Sequence, residues 1–319
     1  MNNIKLLLTP ACAAYLAGLI YRNTRTSCLS LAGLCTQISH DRLRRVLFQR
    51  WAWSRRLWDC CASKLVREGG YLILDDTTWP RFAKRAAAVS LVWSSTAGRV
   101  ILGMQVVLLV WTDGHWKIPL GLRFWRTGGP SKVVLAEQLL REAQRRGLRP
   151  TDVLFDSWYA AGRLLNLLDE QGWSYVSRLK SNRLLDGVAV KKKWPHRFGH
   201  ARGWLRKVKH EVLVVKDGRR YFVTNATALT STAVKQQYRM RQQIEETFRL
   251  LKQEFGWGSA SHQKLQAQNA HLHLGLYALC LVQVAAHHQQ QTIYAFRRSL
   301  FRLPIPDKLL LAEEFFCSA

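Results

Sequence analysis

The chain has 319 residues, 48% hydrophobic and 22% charged, and its 48 lysines and arginines against 21 acids give a formal net charge of +27. That apolar share excludes wholesale disorder and suffices for about two domains. The charge calls for a polyanionic partner, nucleic acid ahead of a membrane surface, and the longest apolar run, 101–111, is interrupted by Gln105 and falls short of the roughly 20 residues that span a bilayer.

The first residues carry one lysine and a three-leucine run broken by Thr9-Pro10, too short an apolar region for a secretory signal, so a cytoplasmic location without membrane attachment is expected. Seven cysteines at 12, 28, 35, 60, 61, 280 and 317 form no Cys-x-x-Cys pair. They read as reduced, buried thiols, and no structural zinc site is expected.

Residues 1–68 have helical periodicity. Within them, Ser39 is placed to cap a helix with Leu43, Val46 and Leu47 inward and Arg42, Arg44 and Arg45 outward. A short helix, a turn and this basic helix resemble a helix-turn-helix; a plain helical hairpin with solvated arginines fits the same pattern. The 11 Lys/Arg against 3 Asp/Glu in residues 1–70 favour DNA contact through Arg42 and Arg45.

Gly69-Gly70 ends that pattern. Strands are expected over 71–76, 87–94, 99–112 and 117–125, with a turn at 112–116. An amphipathic helix follows over 131–146, then a strand over 153–156 and a helix over 160–171. This order implies an α/β fold, specifically an α+β mixed sheet covered by helices. Residues 173–228 read as a β-rich insertion, with strands at 175–179, 188–190, 211–215 and 220–224 and a hairpin turn at Asp217-Gly218. Residues 171–220 hold 14 Lys/Arg and 3 Asp/Glu, with interleaved tryptophans, tyrosine and phenylalanine. Basic strands with aromatics suit phosphate contact and base stacking; Lys191, Lys192 and Lys193 are the densest cationic run.

A helix over 238–252 carries the strongest signal. At about 100° per residue, Tyr238, Arg241, Glu245 and Lys252 fall within roughly 60° of one another, while Ile244, Phe248, Leu251 and Phe255 form an apolar ridge beside them. Further helices are expected over 263–288 and 294–302, followed by a break at Pro304/Pro306 and an acidic-apolar tail.

Asp76 and Asp156 end two expected strands and Glu245 lies on the polar stripe. Taken singly, each aspartate reads as a turn residue. Together, in so cationic a chain, three carboxylates suggest a cluster neutralised by divalent cations, since close acids without metal repel and take up protons.

At this point the chain resembles the DDE transposases of bacterial cut-and-paste insertion sequences, in the group whose third catalytic region reads Tyr-(2)-Arg-(3)-Glu-(6)-Lys. Tyr238, Arg241, Glu245 and Lys252 match at full spacing. Leu74-Asp-Asp-Thr-Thr-Trp-Pro80 and Val153-Leu-Phe-Asp-Ser-Trp-Tyr159 resemble the first and second regions, and Arg178–Asn182 and Phe222–Asn225 resemble family strands. The resemblance spans about residues 70–290. It implies an RNase H-like core in two parts, 69–172 and 229–290, separated by the insertion 173–228. Residues 1–68 would be the helical N-terminal domain and 291–319 a C-terminal tail that is a candidate dimer contact. It implies hydrolysis at transposon ends and transfer of the freed 3′-OH into target DNA, using two Mg2+ ions, with Mn2+ as a substitute. Asp76, Asp156 and Glu245 would hold the metals, and Tyr238, Arg241 and Lys252 would contact phosphates. Double-stranded DNA and a homodimer in a synaptic complex are the implied partners, in a nucleoid-associated bacterial protein.

Asp75 and Asp76 are adjacent and strand neighbours face opposite sides, so only one is a ligand; the resemblance favours Asp76, the one directly before Thr-Thr. The same question at Glu245 and Glu246 is decided for Glu245 by spacing. Gln242 stands where many relatives carry tryptophan. Trp194 is the candidate to stack a flipped base. Two other readings compete: an inactive DNA-binding repressor derived from a transposase, and another RNase H-like nuclease.

Overall fold

The computed structural model describes residues 9–21, 27–33, 38–81, 86–94, 97–259 and 262–301. Four helices come first, α1 (Pro10–Tyr21), α2 (Cys28–Ala32), α3 (His40–Leu47) and α4 (Trp53–Cys61). Strands β1 (Tyr71–Pro80), β2 (Val89–Ser94), β3 (Arg99–Thr112) and β4 (Lys117–Trp125) follow. Next are α5 (Lys132–Arg145), β5 (Asp152–Phe155), α6 (Gly162–Glu170), β6 (Tyr175–Leu179), the short β7 (Leu184–Leu185) and β8 (Val188–Ala189), and α7 (Val190–Lys193). The chain continues through β9 (Phe198–Gly203), β10 (Val212–Asp217), β11 (Arg220–Thr224), α8 (Ser231–Arg239), α9 (Gln242–Gln253), α10 (Leu265–His288) and α11 (Ile293–Phe301). Two compact units result, one of residues 65–78 and 105–245, the other of the remaining described residues.

In the first unit the strands lie in the order β4-β3-β1-β5-β6-β11-β10-β9. β1, β5 and β6 are parallel neighbours; β5 is buried throughout, β6 at all but Arg178, and β1 through its Leu72-Ile-Leu run and at Thr77 and Trp79. β11, β10 and β9 continue the sheet antiparallel from β6. Strands β9, β10 and β11, within the stretch read as a β-rich insertion, thus extend the core sheet. Tyr221, Phe222, Val223 and Thr224 of β11 are all buried, which suits a central strand rather than an appended hairpin; β7 and β8 form a separate two-stranded sheet. Ser131 caps α5 by accepting from the Val134 amide, and Thr230 caps α8 through Ala233.

Gly70 sets the entry to β1. Its φ is +67°, and a Cβ there would stand 2.6 Å from the buried Trp111 indole, which donates to the Gly69 carbonyl at 3.2 Å. Gly70→Ala combines left-handed strain with a clash. It should cost about 3 kcal/mol, read as a lower urea midpoint with an unchanged slope.

In the second unit α1, α3, α4 and α11 pack on α10. By length and composition α10 could cross a membrane, but 89% of its apolar window is buried inside the protein. It is a core helix, apolar on nearly all sides. Its buried His271 is satisfied by the Gly256 carbonyl at Nε2 and the Tyr15 hydroxyl at Nδ1, both at 2.9 Å. A carbonyl only accepts, so Nε2 carries the proton and Nδ1 accepts from Tyr15. Burial holds this imidazole neutral, with a pKa lowered to about 4. Ser39 caps α3, with Leu43, Val46 and Leu47 buried and Arg42 and Arg45 exposed. Residues 34–37, which hold Cys35 and most of the expected turn, lie outside the described residues, as do the first eight residues and the tail 302–319 with Cys317. No disulfide joins cysteines 12, 28, 60, 61 and 280.

Candidate active site

Strands β1 and β5 run side by side in the same direction, with Leu74 opposite Phe155. Asp75 and Asp156 are each the next residue. Residues level on parallel strands share a face of the sheet, so Asp75 and Asp156 stand together and Asp76 turns to the other side.

The two aspartates of β1 have separate surroundings. Asp76 is saturated with donors. Its Oδ1 accepts from the Tyr159 hydroxyl at 2.7 Å and from Lys132 Nζ at 3.1 Å; its Oδ2 accepts from the same lysine at 3.1 Å and from the Gln105 amide. Asp75 accepts at 2.9 Å from Arg241 Nη2 and at 2.9 Å from the amide of Asp76. Burial pushes the Asp75 carboxyl up to about 7, opposed by the Arg241 guanidinium and reinforced by the negative charges of Asp76 and Asp156. Asp156 is half-buried, and its carbonyl accepts from the Tyr159 amide at 2.9 Å, fixing the turn after β5.

The helix expected over 238–252 is two helices. Hydrogen bonds from Met240, Arg241, Gln243 and Ile244 all reach back three residues, so the chain tightens between α8 and α9. Tyr238 therefore sits on α8, Arg241 in the junction, and Glu245 and Lys252 on α9, which removes the single stripe drawn from one continuous wheel. The ridge survives, with Ile244, Phe248, Leu251 and Phe255 buried. The junction gives Arg241 a particular role: it bonds Asp75 with one guanidinium nitrogen and Glu245 with another. Its pKa is pulled down by burial, but Asp75, Tyr238 and Glu245 outweigh that and hold it above the usual arginine value. Glu245 is 56% exposed. Tyr238 packs edge-on against Phe222, 5.1 Å between rings, and burial raises its phenol.

Lys252 lies on the last turn of α9, its ammonium lowered by burial. Glu246 adds to the upward shift that burial imposes on Tyr294. Lys191 and Lys192 are exposed, whereas Lys193 is paired with Asp186 at 2.8 Å. Trp194 is half-buried, its indole packed so closely on Gly199 that a Cβ there would stand 2.4 Å from the ring. The exposed aromatics of this unit are Trp158, Phe198 and Trp204. Lys132, Gln105 and Tyr159 around Asp76 were not singled out from sequence; Trp158-Tyr159 lay within the second motif, but only the sheet shows which acid they serve.

Among the described residues no group of three His, Cys, Asp or Glu side chains is arranged to hold a metal ion. The chemistry of the donor set nonetheless fits a hard divalent cation. The negative charge of Asp156 adds to the upward shift of the Asp75 carboxyl, and a third acid, Glu245, is tethered to Asp75 by a shared arginine that occupies the place of a counter-charge.

Residues 68–281 match the family model of the transposase DDE domain. The piggyBac transposase in a synaptic complex with hairpin DNA is similar in fold, with a TM-score of 0.55 at 12% identity over 99% of this chain and 76% of that one. This likeness identifies the mixed sheet as RNase H-like. The Drosophila P element transposase in a strand transfer complex aligns at a TM-score of 0.27 and 17% identity, over 51% of this chain and 36% of that one. The NurA nuclease of Sulfolobus solfataricus aligns at 0.30 and 10%, over 82% of this chain and 96% of that one. No curated protein matches.

Proposed function

The chain belongs to the transposase DDE domain family, and we propose that it cleaves DNA strands at transposon ends with divalent cations and transfers the freed 3′-hydroxyl into target DNA. The observation that carries this reading is that Asp75 and Asp156 each follow directly on the last paired residues, Leu74 and Phe155, of two adjacent parallel strands, with Glu245 linked to Asp75 through Arg241. Asp75, rather than Asp76, is the first ligand in this reading, because four hydrogen bonds from three side chains, Gln105, Lys132 and Tyr159, leave the Asp76 oxygens committed. Asp75, Asp156 and Glu245 would hold Mg2+, with Mn2+ as a substitute. When bound, such cations polarise a phosphate and stabilise the attacking and leaving oxygens of an in-line displacement. Arg241 orients Glu245 and offers its guanidinium to a phosphate oxygen once the acids are neutralised otherwise; Tyr238 presents a protonated phenol, a donor at all ordinary pH. Double-stranded DNA is the partner that +27 of net charge requires. The synaptic complex of the piggyBac enzyme supports a dimer that brings two ends together.

The test is single-turnover cleavage of a duplex carrying the terminal repeat that flanks the gene, with Mg2+, by the whole chain and by Asp156→Ala. Cutting at the repeat end should be abolished in the variant. Binding without cutting by the unaltered chain would turn the reading to a repressor. Cutting without preference for the end would turn it to another nuclease, and cutting that survives Asp156→Ala would remove Asp156 from the site.

The exposed Lys191 and Lys192 should contact phosphates. Exchanging both for glutamine should reduce the slope of log K against log salt by about 2, and exchanging Lys193, already paired with Asp186, by less. An unchanged slope for the double variant would show that the pair is only solvated.

A further inference from the structure

A cavity of about 540 Å3 lies in the first unit, its walls including Ala161 and Gly162 at the start of α6, Asn182 and Arg183 after β6, and Arg206 and Lys207 before β10. Three of the lining residues are cationic and none is an acid. Arg183 braces the cavity: its Nη1 donates to the Ala160 carbonyl at 2.7 Å and its Nη2 to the Arg206 carbonyl at 3.4 Å. Arg206 and Lys207 are exposed, and among the described residues neither is ion-paired. Lys207 has a backbone conformation that lysine seldom adopts. The Val208 amide donates to the Leu205 carbonyl at 3.0 Å, closing a turn in which Lys207 has a φ of +69°, a position suited to glycine or asparagine. The turn is clamped onto α6. Asn166 donates to the Lys207 carbonyl at 3.2 Å and accepts from the Lys209 amide at 2.9 Å. Gly162 lets that carbonyl come so close that a Cβ there would collide with it. Glycine would make the same turn with less strain, so a lysine on the wall of a cationic cavity is placed there for its charge.

The occupant that fits is an oxyanion. Three cations around one cavity repel one another, and an anion among them turns repulsion into attraction. Guanidinium and ammonium groups match the oxygens of a phosphate. A backbone phosphate of DNA and a free phosphate share that chemistry, and position selects the first. β5 and β6 are parallel neighbours; Ala161 comes five residues after Asp156, and Asn182 three after Leu179. The cavity therefore lies at the carboxyl ends of the strands, where Asp156 also stands and where open parallel sheets hold their ligands. Five residues of backbone span at most about 18 Å, and the phosphates of one strand recur about every 3.4 Å along a duplex axis.

We infer that this cavity seats a backbone phosphate of the bound DNA within about five nucleotides of the cut, with Lys207 and Arg206 contacting its oxygens and Arg183 and Asn166 as positioning residues that hold their loop. This rests on the reading of Asp75, Asp156 and Glu245 as the strand-cutting site, but its test reads binding alone.

The experiment measures binding of the terminal-repeat duplex without divalent cations, so that no strand is cut, over about 50 to 200 mM salt. The whole chain is compared with Lys207→Gly, Lys207→Asn and Lys207→Arg. Glycine and asparagine both accept this φ, so these two variants should keep the melting temperature or raise it, yet lower the slope of log K against log salt by about 1. Lys207→Arg should keep the slope. A neutral methylphosphonate is then placed in turn at each phosphate within about five nucleotides of the transposon end. At one position it should erase the difference between Lys207→Gly and the unaltered chain. An unchanged slope for Lys207→Gly, an arginine variant that behaves like it, or losses that multiply at every position would overturn the site. Inorganic phosphate at constant ionic strength is the second arm. If it raises the melting temperature of the unaltered chain but not of Lys207→Gly, while their DNA slopes stay equal, the cavity takes a free anion and the DNA assignment falls. An unaltered chain that binds no duplex would sink the DNA reading itself, a result distinct from an unchanged slope.

Discussion

Asp75→Asn should bind end DNA as tightly as the unaltered chain and cut it at least about 1,000-fold more slowly, a loss of roughly 4 kcal/mol of transition-state stabilisation. Asp76→Asn should retain most of the chemistry. The amide keeps one acceptor oxygen for Tyr159 and gives up the charge that holds Lys132, so the expected loss is about tenfold, through a displaced Lys132 rather than through the acid site. The contrast follows from sheet register. Leu74 pairs with Phe155, the next residues are Asp75 and Asp156, and a strand cannot place both of two successive side chains on one face. The measurement is the single-turnover rate of both variants at saturating protein, with binding scored separately by gel shift. An inactive Asp76→Asn beside an active Asp75→Asn would return the first ligand to the residue the sequence motif favours.

That point marks where local reading stops. Strands β3, β4 and β6 run over the ranges expected from the sequence, 99–112, 117–125 and 175–179, and α5 starts one residue after its serine cap, because these signals lie within the segment. The sequence alone places the acids of β1 at a strand end, since aspartate favours turns. The strand runs on to Pro80 because Thr77, Thr78 and Trp79 suit a pleated surface. Which aspartate faces Asp156 is a relation between residues about 80 apart in the chain, and no periodicity within either strand contains it. The continuation of the sheet from β6 into β11 is likewise a pairing across the span between them. The α8–α9 junction was hidden for another reason: Arg-Met-Arg-Gln-Gln is composed of good helix formers, and the tightening at Met240–Arg241 follows where the buried guanidinium must reach, Asp75 on one side and Glu245 on the other.

In the absence of divalent cations, stability should fall as pH rises from about 4 to about 7, and Asp75 should be a main cause. Its carboxyl, with an ordinary value of 3.8, is pushed up to about 7 in the folded protein, first by burial. The folded state therefore binds the proton more tightly than the unfolded state between these values, and unfolding free energy declines across that window, by on the order of 2–4 kcal/mol. Below it both states are protonated and above it both are ionised, so the loss is complete above pH 7. Asp152, also raised to about 7 by burial, contributes in the same sense, and the difference between the unaltered chain and Asp75→Asn isolates the Asp75 share. Arg241→Met sharpens the test. It removes the one strong force holding the Asp75 proton affinity down, and at pH 8 leaves a carboxylate only 15% exposed without its partner, a cost of about 3 kcal/mol. At pH 5 Asp75 is largely protonated and the same substitution should cost about 1 kcal/mol. Urea titrations of the three chains at pH 5 and pH 8 measure these differences. Adding Mg2+ should restore stability at pH 8 far more than at pH 5, since protons and metal compete for the same carboxylate. A flat profile for the unaltered chain, or equal losses for Arg241→Met at both pH values, would mean that Asp75 is ionised throughout and that burial does not govern its charge.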